Sequence, residues 1–142
     1  MNLIFKTLDI SFVNDIVLLI KQLNPSKEIK EINDLVQEMF SYKNYYCFGL
    51  FQNDKLIGIS GSWLTTRIYS GKQLEIDHFV IDENQRSTGL GKYFLDEIEN
   101  WAKNEDCIHI ELNAYVQTEK AHKFYFRNGF KILGFHFQKN IN

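Results

Sequence analysis

Residues 81–101 read IDENQRSTGLGKYFLDEIENW. An apolar run ends at Ile81, a polar loop follows, and Gly89-Leu90-Gly91 opens a second periodic segment. In that segment Phe94, Leu95, Ile98, Trp101 and Ala102 share one helical face, while Asp96, Glu97, Glu99 and Lys103 lie outward. A strand followed by a loop and an amphipathic helix is therefore expected. The first turn of a helix leaves about four N–H groups without intrahelical partners, and the helix dipole favours negative charge at that end. Glycine lets an anion approach the backbone closely and permits positive φ. Arg86 and Lys92 add positive charge, and Ser87 and Thr88 add hydroxyls. The pattern R-x-x-G-x-G from Arg86 to Gly91 thus suits a phosphate or pyrophosphate. It is not a Walker loop, because Tyr93 follows Lys92, and not G-x-G-x-x-G, because Phe94 occupies the third glycine's place. On the loop alone, a plain glycine-containing turn with a solvated arginine is the alternative.

Outward from this stretch the chain divides into short periodic segments. Residues 2–8 read as a short strand. Ile10, Val13, Ile16, Val17, Ile20 and Leu23 fall at helical spacing, and Asn24-Pro25 ends that helix. A second helix is expected from about Ser26, with Ile29, Ile32, Leu35, Val36, Met39 and Phe40 on one face. Strands 45–51 and 56–66 flank a turn at Gln52-Asn53-Asp54-Lys55 and read as a hairpin. Strand 73–82 follows a turn at 69–72. Beyond the central helix come strand 107–113, a helix from about Thr118 to Arg127 stopped by Asn128-Gly129, and a last strand over 130–138. The order β-α-α-β-β-β-α-β-α-β gives an α+β class with a mixed sheet in one domain over residues 1–142. Strands 73–82 and 107–113 form a right-handed parallel β-α-β unit around the central helix.

Composition narrows the function. The chain has 142 residues, 44% of them hydrophobic and 15% aromatic, with 12 phenylalanines, enough for one aromatic-rich core. A net charge of −2 with both signs interspersed argues against a nucleic-acid partner, which needs a basic stripe. Cys47 and Cys107 stand far apart, without a CxxC pair, and are expected as buried thiols in strands. His78, His109, His122 and His136 lack metal-ligand spacing, so no metal is expected; His78 reads as a core or boundary residue facing a helix layer. The start MNLIFKTLDISF is not a signal peptide, and no apolar run reaches the ~20 residues that cross a bilayer. A cytoplasmic protein with no membrane association is expected.

A second motif lies one strand and one helix after the loop. EKAHKFYFRNGF carries A-x-x-F-Y-x-x-x-G-F, from Ala121 through Phe124-Tyr125 to Gly129-Phe130. With R-x-x-G-x-G after a strand and the element order above, the chain resembles the GNAT family, the GCN5-related N-acetyltransferases, and in particular its small single-domain bacterial members. The resemblance covers nearly the whole chain in topology, and in residue pattern it is strongest from Leu74 to Phe137. Ser87-Thr88 stands where basic or glycine residues are common, and Thr118 where many members have asparagine.

The resemblance implies a mixed, mostly antiparallel sheet of six to seven strands, with central parallel strands splayed apart and four helices on both faces. It implies transfer of an acetyl group from acetyl-CoA, the cosubstrate, to a primary amine of a small molecule or protein. Backbone amides from Ser87 to Gly91, with Arg86, Leu90 and Lys92, would hold the CoA pyrophosphate. Phe79, Val80 and Ile81 would pair with pantetheine, Asn113 would add a hydrogen bond, and Phe124 would pack on the cofactor side. Tyr125 matches the tyrosine that protonates the leaving thiolate. Glu75 and Asp77, taken by alternation to share a face with Phe79 and Ile81, are the carboxylate candidates for general base. The other reading is a catalytically silent acyl-CoA sensor or scaffold. A monomer or a homodimer is expected.

Overall fold

The computed structural model describes residues 2–86 and 88–142 of the chain. The chain forms two compact units, Met1–Glu111 and Leu112–Asn142.

The first unit is built on a sheet ordered β1-β2-β3-β4-β5. Its strands are β1 (Leu3–Leu8), β2 (Tyr45–Gln52), β3 (Lys55–Arg67), β4 (Gly71–Ile81) and β5 (His109–Leu112). The first four pair antiparallel in sequence order. The β2–β3 hairpin closes at Asn53 and Asp54, with φ of 50° and 69°. Two successive residues with positive φ match the twist of the flanking strands, and Asn and Asp tolerate that region better than most side chains. β5 begins beside the start of β4, where Ile108 N donates to Lys72 O at 2.8 Å.

Helices cover both faces of this sheet. α1 (Val13–Leu23) buries Ile16, Val17, Leu19 and Ile20, and α2 (Ile29–Phe40) buries Ile32 and Val36. These pack with Leu8, Tyr45, Cys47, Ile59 and Val80 in one core. α3 (Leu90–Asn104) buries Leu90, Phe94, Leu95, Ile98 and Ala102. On its side Phe94 meets Phe5 and Phe79 at ring separations of 6.1 and 5.3 Å, and Trp101 meets Tyr46 and Phe48, each at 4.8 Å. Residues directly opposite in a ladder share a face. Tyr45 faces Trp63, and Tyr46 faces Ser62, so alternate residues of β2 serve the two cores in turn. Covered on both sides, β2 and β3 are apolar or small almost throughout, as buried strands must be.

The second unit holds α4 (Glu119–Arg127) and the segment after it. α4 ends as the sequence predicts: Asn128 N donates to Phe124 O, and Gly129 takes φ of 88°.

The structure corrects three expectations. The sheet has five strands, not six to seven. Residues 130–138 form no strand, although they are rich in aromatic and β-branched residues. Ile132, Leu133, Phe135 and Phe137 are all largely exposed, so neither parity of the segment is buried. Strand propensity reflects fit to a half-buried pleated surface and ladder partners, and here there is neither. Cys107 precedes β5 rather than lying in it, and it is only partly buried.

Candidate active site

The local geometry of β4 departs from simple alternation at one residue. Gly61 pairs with His78 and Ser62 with Ile76, so Asp77 has no counterpart on β3. An extra residue of this kind is a β-bulge, and it reverses the in–out parity of everything beyond it. On one side of the bulge Glu75 lies opposite Trp63, which packs on the α1/α2 core. On the other side Phe79 lies against Phe94 of α3, and Ile81 meets that helix beside Gly58. Glu75 therefore faces the α1/α2 layer, and Phe79 and Ile81 face α3. The sequence expectation that Glu75 and Asp77 share a face with Phe79 and Ile81 is overturned by this single inserted residue.

Asp77 itself is turned outward and exposed. The surroundings of its carboxyl raise its pKa by desolvation, and a hydrogen bond from the Trp63 side chain partly opposes this by favouring the anion. The indole N–H is the only polar hydrogen Trp63 can give. Next to it, His78 is held neutral. Burial pushes its pKa down to about 4, and its Nδ1 accepts from Gly61 N at 3.3 Å. That bond assigns the proton to Nε2, which lies 3.3 Å from the Tyr45 hydroxyl. Burial pushes the Cys47 thiol up to about 12, so it is no nucleophile at neutral pH.

Beyond β4 the chain turns at Asp82. Asp82 N donates to Ile57 O at 2.7 Å, and the Asp82 carboxylate accepts from Asn84 N at 3.1 Å. Gly89 caps α3 in the left-handed region, with φ of 81° and no side-chain cap hydrogen bond. A methyl group in place of the Gly89 hydrogen would meet no atom within 4 Å among the described residues, its chain neighbours aside. The first turn of α3 thus carries backbone donors without a side-chain cap, the arrangement an anion needs.

The side chains of the loop divide in role. Arg86 Nε donates to Ile81 O at 3.0 Å and ties the loop to the end of β4. Thr88 Oγ1 donates to Gln85 O at 2.7 Å, so its proton serves the loop's own backbone. Lys92 pairs with Asp96 at 2.8 Å on the exposed face of α3. Leu90 is buried and anchors the first turn, while Gly91 follows it in the second helical position. Val80 lies in the α1/α2 core, so only its backbone is on offer to a ligand. Ser87 lies outside the described residues.

In the second unit, Tyr125 sits half-buried on α4 between Phe124 and Phe130, at ring separations of 5.4 and 5.5 Å. Burial raises its pKa above the ordinary phenol value, so it carries its proton throughout the neutral range. Asn113 follows β5 and is exposed. Thr118 Oγ1 donates to Tyr115 O at 2.7 Å and closes the turn before α4. Sequence reasoning missed Gly61, Trp63 and the position of His78 at the bulge. The Gly-x-x-Gly of Gly58 to Gly61 inside an apolar strand was the available signal, since an isolated strand glycine often marks a bulge.

Comparison with known proteins agrees with this architecture. The model of the acetyltransferase (GNAT) family matches residues 15–130. A Bacillus subtilis (strain 168) relative, the uncharacterized N-acetyltransferase YhdJ, is 26% identical over 124 residues, 87% of each chain. Among solved structures, the aminoglycoside N-acetyltransferase AAC(6')-Iy in complex with CoA superposes with a TM-score of 0.85 at 14% identity, over 99% of this chain and 96% of that one. The ribosomal-protein-alanine N-acetyltransferase of Brucella melitensis biovar Abortus 2308 superposes with a TM-score of 0.82 at 13% identity, over 99% and 100%. Among the described residues no helix is long and apolar enough to cross a membrane. With a family match that spans most of its length, the chain belongs to the GNAT family and is an N-acetyltransferase.

Proposed function

We propose that the chain transfers an acetyl group from acetyl-CoA directly to a primary amine of a small molecule or protein, in the cytoplasm. The observation that carries this reading is the first turn of α3, glycine-capped and without a side-chain cap. Its amides, from Thr88 to Lys92 with Ser87, would receive the diphosphate of the cosubstrate. Arg86 would hold the loop in place through Ile81 O and add its charge. The backbone of Phe79 to Ile81 would take the pantetheine arm.

Acetyl-CoA brings an activated acyl group and a good leaving thiol; the rest is done by the protein's own residues. A lysine-like amine has a pKa of about 10.4 and must lose a proton to attack. Asp77 is the better placed carboxylate for that task. Desolvation raises its pKa toward the working range of a base, and it projects from the bulge on the side of Trp63. Glu75, on the same side opposite Trp63, draws in the cationic acceptor. Tyr125, kept protonated by burial, donates to the departing thiolate. Glu75 and Asp77 both lie on the Trp63 side of β4, so the acceptor is expected to enter from the α1/α2 side.

The reading is tested with purified protein, acetyl-CoA and a panel of primary amines comprising a polyamine, an aminoglycoside and a lysine peptide. Thiol release that depends on the amine, with an acetylated amine seen by mass spectrometry, is the expected outcome. Acetyl-CoA binding without thiol release on any of the three would favour the silent sensor instead.

A further inference from the structure

We propose that His78 is a positioning residue, whose imidazole locks the β4 bulge and thereby sets the carboxylate of Asp77 against Trp63. This rests on the reading of Asp77 as an acceptor-side carboxylate. In a regular antiparallel pair Gly61 and His78 would exchange N–H···O bonds. At the bulge side chains add bonds across the pair. Gly61 N donates to His78 Nδ1 at 3.3 Å, and His78 O accepts from Ser60 Oγ at 2.9 Å. Buried backbone groups seldom go without a partner, and these two bonds tie β3 to β4 at the residue beside the extra one.

The imidazole is fixed from its far side as well. With Nδ1 accepting, Nε2 carries the proton and faces the Tyr45 hydroxyl at 3.3 Å. Position 61 must then be glycine, because a Cβ there would lie 2.3 Å from both His78 Nε2 and the Tyr45 hydroxyl. Tyr45 is buried under Phe40 and Trp63, at ring separations of 5.3 and 4.9 Å. One packed cluster therefore holds both the ring that accepts from Gly61 and the indole that meets Asp77. If the Gly61–His78 bond were lost, β4 could close up by one residue. Asp77 would then move off Trp63, and the parity of β4 on one side of it would reverse. Misplacing a reacting group by about 1 Å can cost on the order of 100-fold in rate.

The experiment is a double-mutant cycle on acetyl transfer, with folding checked by thermal melting. His78→Asn keeps an acceptor near the place of Nδ1, whereas His78→Leu removes it. We expect H78N to keep kcat within about threefold, and H78L to lose roughly 10- to 100-fold in kcat with the KM for acetyl-CoA nearly unchanged. In a D77N background H78L should cost little more, because the group it positions is already gone. An equal cost of H78L in both backgrounds would make His78 purely structural and overturn this proposal while leaving the role of Asp77 intact. If H78L does not fold, a folded H78N as slow as D77N overturns it. Full activity in D77N would remove the reading of Asp77 itself, and this proposal with it.

Discussion

Tyr125→Phe is expected to lower kcat by about 10²- to 10⁴-fold, the usual contribution of a well-placed general acid or base, while leaving the KM for acetyl-CoA and the fold nearly unchanged. The substitution removes one hydroxyl and keeps the ring that packs between Phe124 and Phe130. A phenol of ordinary pKa about 10 already holds its proton at neutral pH, and burial raises that value further. It stays protonated across the neutral range, and a thiolate of pKa about 8.5 is basic enough to accept a proton late in the reaction. An interaction made only as the thiol leaves appears in kcat and kcat/KM together, not in KM. Steady-state kinetics of the wild type and Y125F at saturating acetyl-CoA check this. Wild-type turnover in Y125F would dismiss Tyr125 as the acid.

The second large effect is on stability, and its sign follows from His78. In the folded chain burial holds this imidazole neutral down to about pH 4, against an ordinary value of 6.5. Between those two values the unfolded chain binds a proton that the folded chain refuses. Stability contributed by the neutral ring is thus fully present above pH 6.5 and declines as the pH falls toward 4. The gap is worth roughly 3 kcal/mol by linkage. H78N has no such titration, and all other acid-sensitive groups are common to both chains. Urea unfolding at pH 7 and pH 4 is expected to show the wild type losing roughly 3 kcal/mol more than H78N. Asp77 acts in the opposite sense: its raised pKa makes ionisation costly to the fold, so that cost grows as the pH rises. Identical acid losses in the wild type and H78N would show that the imidazole is not held neutral.

Most of the first unit could be read from periodicity, because its elements bury one clear face each. Phe94, Leu95, Ile98 and Ala102 place α3, and Asn53-Asp54 places the hairpin turn. The glycine cap of α3 was equally plain, since the chemistry of a helix start is local. What stayed hidden depends on registry between strands. A bulge adds one residue without altering composition, so counting by twos from Glu75 to Ile81 gave the wrong faces. The meeting of Asp77 with Trp63 follows from that registry and has no local signature. Arg86 and Thr88 read as phosphate ligands by type, yet Arg86 Nε and the Thr88 proton serve the loop itself. The segment 130–138 failed for a different reason: propensity describes a surface that suits a sheet, and it cannot supply the neighbouring strand.

The central claim is that the amides opening α3 receive the diphosphate of acetyl-CoA. Isothermal titration of the wild-type protein with acetyl-CoA, and separately with S-acetylpantetheine, which lacks the diphosphate, tests it most directly. The account predicts saturable one-site binding of acetyl-CoA, and binding of the truncated thioester weaker by at least about tenfold, or 1.4 kcal/mol. Equal affinity for the two compounds, or no binding of acetyl-CoA at all, would contradict it.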